Sequence, residues 1–139
     1  MNAYDKLITY NIKPSVQRIA IMDYLLKHRT HPSADVVYSA LSKSIPTLSK
    51  TTVYNTLKLL AEQGAALMLT IDENNVCFDG DTSPHSHFLC KKCMKIYDLP
   101  ISSSEQEVSG LNSDGHVITE IHYYFKGICK NCLNDKNID

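Results

Sequence analysis

The sequence predicts an α+β fold in two parts, a winged helix-turn-helix followed by a smaller α/β unit built around paired cysteines. Three observations predict it. Apolar residues recur at helical spacing as far as Gly64, and the period then shortens to two. Further on, two Cys-x-x-Cys pairs sit among β-branched and aromatic segments.

Taken in order, Ser15 can cap a helix whose apolar stripe runs Val16, Ile19, Met22 and Leu26, at spacings of three and four. "HPSADVVYSAL" offers Ser33 as the next cap, with Val36, Val37, Ala40 and Leu41 facing inward. "PTLSKTTVYNTLKLLAEQG" then places Ser49 as a cap, Val53, Leu57 and Leu60 as the buried stripe, and Gly64 as the stop. After Gly64, "ALMLTI" puts Leu67, Leu69 and Ile71 on one face, "DENN" makes a turn and "VCFD" returns, which is a hairpin. Three helices and a hairpin follow the order of a winged helix-turn-helix, whose third helix enters the DNA major groove.

The remainder differs in kind. Short strand-like segments surround the cysteine pairs, "SSSEQEVSGL" reads as a short helix, and "GHVITEIHYYFKGIC" has the content of a strand. The Gly/Asp/Ser/Pro cluster from Gly80 to Pro84 suits a hinge. The predicted organisation is therefore a winged-helix domain over residues 1–79, a hinge over 80–84 and a second domain over 85–139, with "LNDKNID" fraying at the end.

At 139 residues, with 43% hydrophobic and 21% charged content, the chain has an ordinary globular composition. No apolar run approaches the roughly 20 residues of a membrane span, and "MNAYDKLITYN" lacks the apolar core of a signal peptide. A cytoplasmic location without membrane attachment is the expectation. The net charge of −1 hides an asymmetry: residues 1–70 carry eight Lys/Arg against four Asp/Glu, and residues 71–139 carry six against eleven. A basic first half suits a polyanionic partner, and an acidic second half suits cations.

In a reducing compartment, closely paired cysteines point to metal rather than to disulfides. Cys90-x-x-Cys93 and Cys129-x-x-Cys132, with 35 residues between the pairs, can supply four thiolates to a structural, tetrahedral Zn²⁺. Cys77 stands apart and reads as a small buried residue. With zinc satisfied by cysteines, His85 and His87 remain. Two residues apart in an extended segment, they share a face and can address one ion, while Cys90 has the opposite parity.

The segments "HPSADVVYSAL", "LSKTTVYNTLKLLAEQG", "VCFDGDTSPHSHFLCKKCMKIYDL" and "GICKNC", in that order, resemble the ferric uptake regulator (Fur) family from about Tyr4 to Cys132. The resemblance implies a metal-dependent transcriptional repressor that binds double-stranded operator DNA as a homodimer, its second part being an α/β dimerisation domain with structural zinc. It also implies a regulatory metal, Fe²⁺ or Mn²⁺, on His31, Asp79, His85, His87 and Asp98. Nitrogen and carboxylate donors suit those ions, as thiolates suit zinc.

Three details favour the peroxide-sensing, PerR-type branch. Positions 79 and 98 are both Asp where iron regulators usually carry Glu. Asp79 and His85 lie six apart, and the chain reads "PHSH" where iron regulators usually read "HHDH". By the same departure, Pro84 and Ser86 remove two ligands of the family's additional metal site and leave Glu105 and His122 as remnants. In that branch, bound Fe²⁺ reacts with hydrogen peroxide and ligand histidines are oxidised; the matching positions are His31 and His85. The iron-responsive and zinc-responsive branches are the rivals within the family.

On the helix after Ser49, the face opposite the buried stripe offers Lys50, Thr51, Tyr54, Asn55 and Lys58 to DNA. The resemblance makes Tyr54 a base contact and, through "Q-R" at Gln17 and Arg18, makes Arg18 a phosphate contact. Two readings of other classes compete. A zinc enzyme would use His85, His87 and a carboxylate around an open metal position, yet the chain has no H-E-x-x-H or H-x-E motif. A zinc-ribbon scaffold would bind nucleic acid without sensing.

Overall fold

The computed structural model describes residues 1–83, 85–100, 113–118 and 121–134. It divides into two compact units, Met1–Thr82 and Ser83–Asp139. The helix expected at "SSSEQEVSGL", Glu105 and Pro84 lie outside the described residues, as do the last five residues of the tail.

The first unit has four helices before its hairpin. They are α1 (Ala3–Thr9), α2 (Val16–Lys27), α3 (Ala34–Leu41) and α4 (Lys50–Gln63). Each begins on a side-chain cap: Asn2, Ser15, Ser33 and Ser49 accept from the N–H three residues on, at 2.8, 3.1, 3.3 and 3.0 Å. These caps satisfy N–H groups that have no partner within the helix. α4 stops at Gly64, whose φ of 89° is a left-handed conformation that glycine adopts without a Cβ penalty.

Strands β1 (Leu67–Leu69) and β2 (Cys77–Asp79) form the antiparallel hairpin, with Leu67 opposite Asp79. Side chains of Leu7, Ile21, Met22, Leu25, Val37, Val53, Leu57, Leu60 and Phe78 are fully enclosed and form the core.

Two predicted stripes are met in part: Met22 and Val37 are buried, and Ile19, Leu26 and Leu41 pack against the core while partly exposed. On α2 the buried residues are Ile21, Met22 and Leu25, and Val16 is exposed. This helix packs on α1, α3 and α4, so its apolar arc is wide, and Val16 lies in the first turn beside the cap. On α3 only Val37 is fully buried; Val36 and Ala40 face outward, while Ala34, Tyr38 and Leu41 line the core. α4 buries Val53, Leu57 and Leu60, with Thr56 beside them.

The second unit is a three-stranded sheet in the order β4-β3-β5, from β3 (Ser86–Cys90), β4 (Ile96–Leu99) and β5 (Tyr124–Gly127). β3 runs antiparallel to β4, with His87 opposite Asp98, and parallel to β5, with Cys90 opposite Gly127. The long strand expected around "GHVITEIHYYFKGIC" is realised over the four residues of β5; residues 119 and 120 are not described. One turn of helix, α5 (Lys130–Leu133), follows.

Candidate metal centres and nucleic-acid face

The second unit brings all four cysteines of the two pairs together. Cys90 ends β3, Cys93 lies in the turn before β4, and Cys129 caps α5, which carries Cys132. Met94 follows the first pair with φ of 63° and donates its N–H to the Cys90 carbonyl at 2.9 Å, so a left-handed residue folds the knuckle back. Cys90 Sγ lies 3.8 Å from Cys132 Sγ, and Cys93 Sγ lies 3.8 Å from Cys129 Sγ. All four ligand atoms fall within 4.8 Å of one another.

A tetrahedron with Zn–S bonds of about 2.3 Å has edges of about 3.8 Å. A disulfide would need about 2.05 Å. The spacing fits zinc.

Electrostatics agrees. The Cys93 N–H donates to Cys90 Sγ at 3.4 Å and is the main reason the Cys90 thiol is lowered to about 6. A hydrogen bond from the Tyr97 hydroxyl is the first cause lowering Cys129, and the same bond pushes Tyr97 up to about 12. Cys132, set against Cys129 and the other sulfurs, is pushed up to about 12. Four clustered thiolates repel, and a dication removes the conflict by favouring all four anions. Cys77 belongs to neither pair; it is half-buried on the hairpin, and burial raises its thiol.

The five nitrogen and carboxylate candidates fall into two groups. In the first unit, His31 stands just before α3 and Asp79 ends β2. The Phe78 N–H donates to the Pro32 carbonyl at 2.9 Å, and Ser33 bridges to Cys77, so the loop before α3 runs beside the hairpin. This brings His31 Nε2 to 3.4 Å from Asp79 Oδ2, with side chains only 5% and 1% exposed. His31 has φ of 57°, a left-handed conformation that is uncommon outside glycine and collects at functional sites.

In the second unit, His85 precedes β3, His87 lies within it and Asp98 lies opposite on β4. His85 Nε2 and His87 Nε2 are each 3.4 Å from Asp98 Oδ1, and the two rings are 4.5 Å apart. His85 Nδ1 lies 2.7 Å from the Ser83 carbonyl. That bond requires an Nδ1–H donor, which leaves Nε2 as the lone-pair nitrogen on the side of Asp98, so a cation between the two would satisfy both, as is usual for a ligating histidine. His122 sits instead beside Tyr124, whose hydroxyl is 3.4 Å from its Nδ1.

Comparison with known proteins decides the family. The ferric uptake regulator family model matches residues 9–125. The chain belongs to the ferric uptake regulator family. Among its relatives, the peroxide-responsive repressor PerR of Staphylococcus epidermidis is 34% identical over 127 residues, covering 91% of this chain and 85% of that one. The peroxide operon regulator of Bacillus subtilis is 32% identical over 136 residues, covering 97% and 94%. Among solved structures, the Helicobacter pylori ferric uptake regulator superposes with a TM-score of 0.75 at 18% identity, over 96% of this chain and 91% of that one. The two units are thus the winged helix and α/β parts of a Fur-family transcriptional regulator, and the protein is not an enzyme.

For a Fur-family regulator, the outward face of α4 is the natural candidate for DNA. Lys50, Thr51, Tyr54, Asn55 and Lys58 are all exposed there. Lys50 Nζ sits 5.6 Å from the centre of the Tyr38 ring, so α3 steadies the first of them. The start of α2 and the face of α4 together enclose a groove of about 480 Å³ lined by Lys13, Gln17, Arg18, Thr52 and Asn55 among others. Arg18 Nη1 donates to the Lys13 carbonyl at 2.9 Å, which fixes the guanidinium at the groove's edge. Among the described residues, no helix is long and apolar enough to cross a membrane.

Sequence reasoning did not single out Lys6, Arg29 or Tyr97. Lys6 had a signal: it occupies the inward face of α1 between Ala3 and Leu7, where an apolar residue would be expected.

Proposed function

We propose that the protein is a peroxide-responsive, metal-dependent repressor that binds operator DNA in the cytoplasm as a homodimer. The observation that carries the reading is the separation of ligand types. Sulfur donors are gathered in one group, and the His/Asp candidates, His31 with Asp79 and His85 and His87 with Asp98, contain no thiolate. Identity of 32–34% to peroxide-responsive repressors supports the finer assignment.

In this reading Cys90, Cys93, Cys129 and Cys132 hold Zn²⁺ permanently. His31, Asp79, His85, His87 and Asp98 hold Fe²⁺ or Mn²⁺, to which their nitrogen and oxygen donors are suited. Residues 1–79 bind DNA, residues 80–84 are the hinge and residues 85–139 dimerise. Because the five ligands come from both units, metal occupancy and the arrangement of the units are linked. The metal and DNA must then each raise the other's affinity by the same factor.

Fe²⁺, when bound, would activate hydrogen peroxide, the two-electron oxidant, so that one peroxide oxygen is inserted at an imidazole carbon of His31 or His85 and the other leaves as water. An oxidised imidazole is a poorer donor, so the ligand set no longer favours the DNA-binding arrangement. On the DNA side, Lys50, Lys58 and Arg18 contact phosphate, and Thr51, Tyr54 and Asn55 reach base edges.

Titrating operator binding with Fe²⁺, Mn²⁺ and Zn²⁺, then adding peroxide, tests the whole reading. The expected result is operator binding with Fe²⁺ or Mn²⁺, and release by peroxide from the Fe²⁺-loaded protein alone. Binding that depends on Fe²⁺ yet survives peroxide would point to an iron-responsive repressor. Dependence on added Zn²⁺ would point to a zinc-responsive one.

A further inference from the structure

The chain leaves β2 through Asp79-Gly80-Asp81, and each residue of that turn is tied down separately. Asp79 Oδ1 accepts the Asp81 N–H at 2.9 Å, which closes the turn on the side chain of a proposed metal ligand. The Gly80 carbonyl accepts from Lys6 Nζ at 2.7 Å. The carboxylate of Asp81 pairs with the guanidinium of Arg29. A Cβ on Gly80 would lie 2.8 Å from the Leu25 carbonyl oxygen and 2.9 Å from its carbon, so the turn is pressed directly onto the backbone of α2.

Lys6 is the unusual member. Lysine is almost never enclosed without a partner, yet Lys6 is 8% exposed on the inner face of α1. Burial lowers its pKa, while Asp81 and Asp79 oppose that shift. Its ammonium crosses from the first helix of the unit to the last turn. The turn's backbone gains a fixed point one residue from Asp79.

We propose that Lys6 is a positioning residue for the regulatory metal, holding the Gly80 carbonyl so that Asp79 Oδ2 stays beside His31 Nε2. This rests on the reading that His31 and Asp79 are ligands. The sign of the effect separates it from two simpler roles. Were Lys6 only a nearby positive charge, removing it would tighten binding of a dication. Were it only a strut, removing it would lower stability and leave metal affinity alone. Positioning requires affinity to fall in a protein that is still folded, because Asp79 is then no longer set in place before the metal arrives.

The test uses full-length, zinc-loaded protein and Mn²⁺ as the probe, with free Mn²⁺ read by electron paramagnetic resonance. Lys6→Met should lose at least about tenfold in Mn²⁺ affinity, the usual cost of removing an outer-shell partner. Zinc content should be unchanged, and Lys6→Arg should recover most of the loss. Should Lys6→Met not fold, Lys6→Gln, which keeps a donor on a shorter stem, takes its place. Affinity within about twofold of the parent, or tighter, overturns the proposal, since outer-shell effects are larger than that. A His31→Ala control separates the two levels. If His31→Ala binds Mn²⁺ as the parent does, the ligand reading itself fails, whatever Lys6 does.

Discussion

The four-cysteine group and the His/Asp groups are built in opposite ways. The cysteines lie in two tight knuckles within one unit, with backbone N–H groups of Cys93, Cys129 and Cys132 already donating to sulfur at 3.4 Å. The His/Asp candidates are spread along the chain, His31 in a loop and Asp79 at the end of a hairpin in the first unit, His85 and His87 around β3 and Asp98 on β4 in the second. A site closed within one unit contributes directly to that unit's folding. In the proposed reading the His/Asp metal contributes little to the folding of either unit and can report whether it is present and intact. Permanence and responsiveness follow from where the ligands sit in the chain as much as from their chemistry.

That contrast can be broken most severely at the cysteines. Cys93→Ser should abolish stoichiometric zinc and unfold residues 83–139, because structural zinc in small domains supplies on the order of 10 kcal/mol. Helical signal from the first unit should persist in circular dichroism. Asp98→Ala should act in the opposite sense. It removes the carboxylate that both His85 and His87 face, a direct ligand in the proposed reading, and should cost at least about 100-fold in Mn²⁺ affinity, the upper end of what an outer partner costs, while zinc content stays full. Metal analysis by mass spectrometry alongside Mn²⁺ titration reads both outcomes.

Smaller changes sharpen the comparison. Gly80→Ala sets a methyl against the Leu25 carbonyl and should destabilise the first unit by about 1–3 kcal/mol in urea unfolding, the usual range for overpacking. Zinc should be retained. Tyr97→Phe removes the hydroxyl bonded to Cys129 and should leave zinc in place but released to a chelator about tenfold faster. Mn²⁺-dependent operator binding should be unaffected at neutral pH by that change.

Much of this molecule is legible in the sequence because its local chemistry is regular. Ser15, Ser33 and Ser49 cap their helices, and Gly64 ends α4 in the left-handed conformation that a glycine in that place suggests. The stripe Val53, Leu57, Leu60 is buried because α4 presents one narrow apolar face. α2 has apolar residues around much more of its surface, so periodicity alone could not choose between Val16 and Ile21. α1 escaped because it is short and its inner face includes Lys6, whose partner is 74 residues away in sequence.

The candidate sites show the same division. The Cys-x-x-Cys pairs identify the knuckles without a structure, since cysteines three positions apart can turn onto one metal. The approach of His31 to Asp79 depends on a loop running beside a hairpin, and nothing local encodes it; only resemblance to a family suggested the pair. Tyr97 and Lys6 act on those sites through a hydroxyl and an ammonium whose targets are set by tertiary packing.

The most direct measurement is the mass of the peptides containing His31 and His85 after peroxide treatment of the protein loaded with Fe²⁺, beside the same protein loaded with Mn²⁺. Oxygen added at one or both histidines in the Fe²⁺ sample alone, in step with loss of operator binding, is the predicted result. Unmodified peptides in an Fe²⁺ sample that has nonetheless released DNA would contradict it.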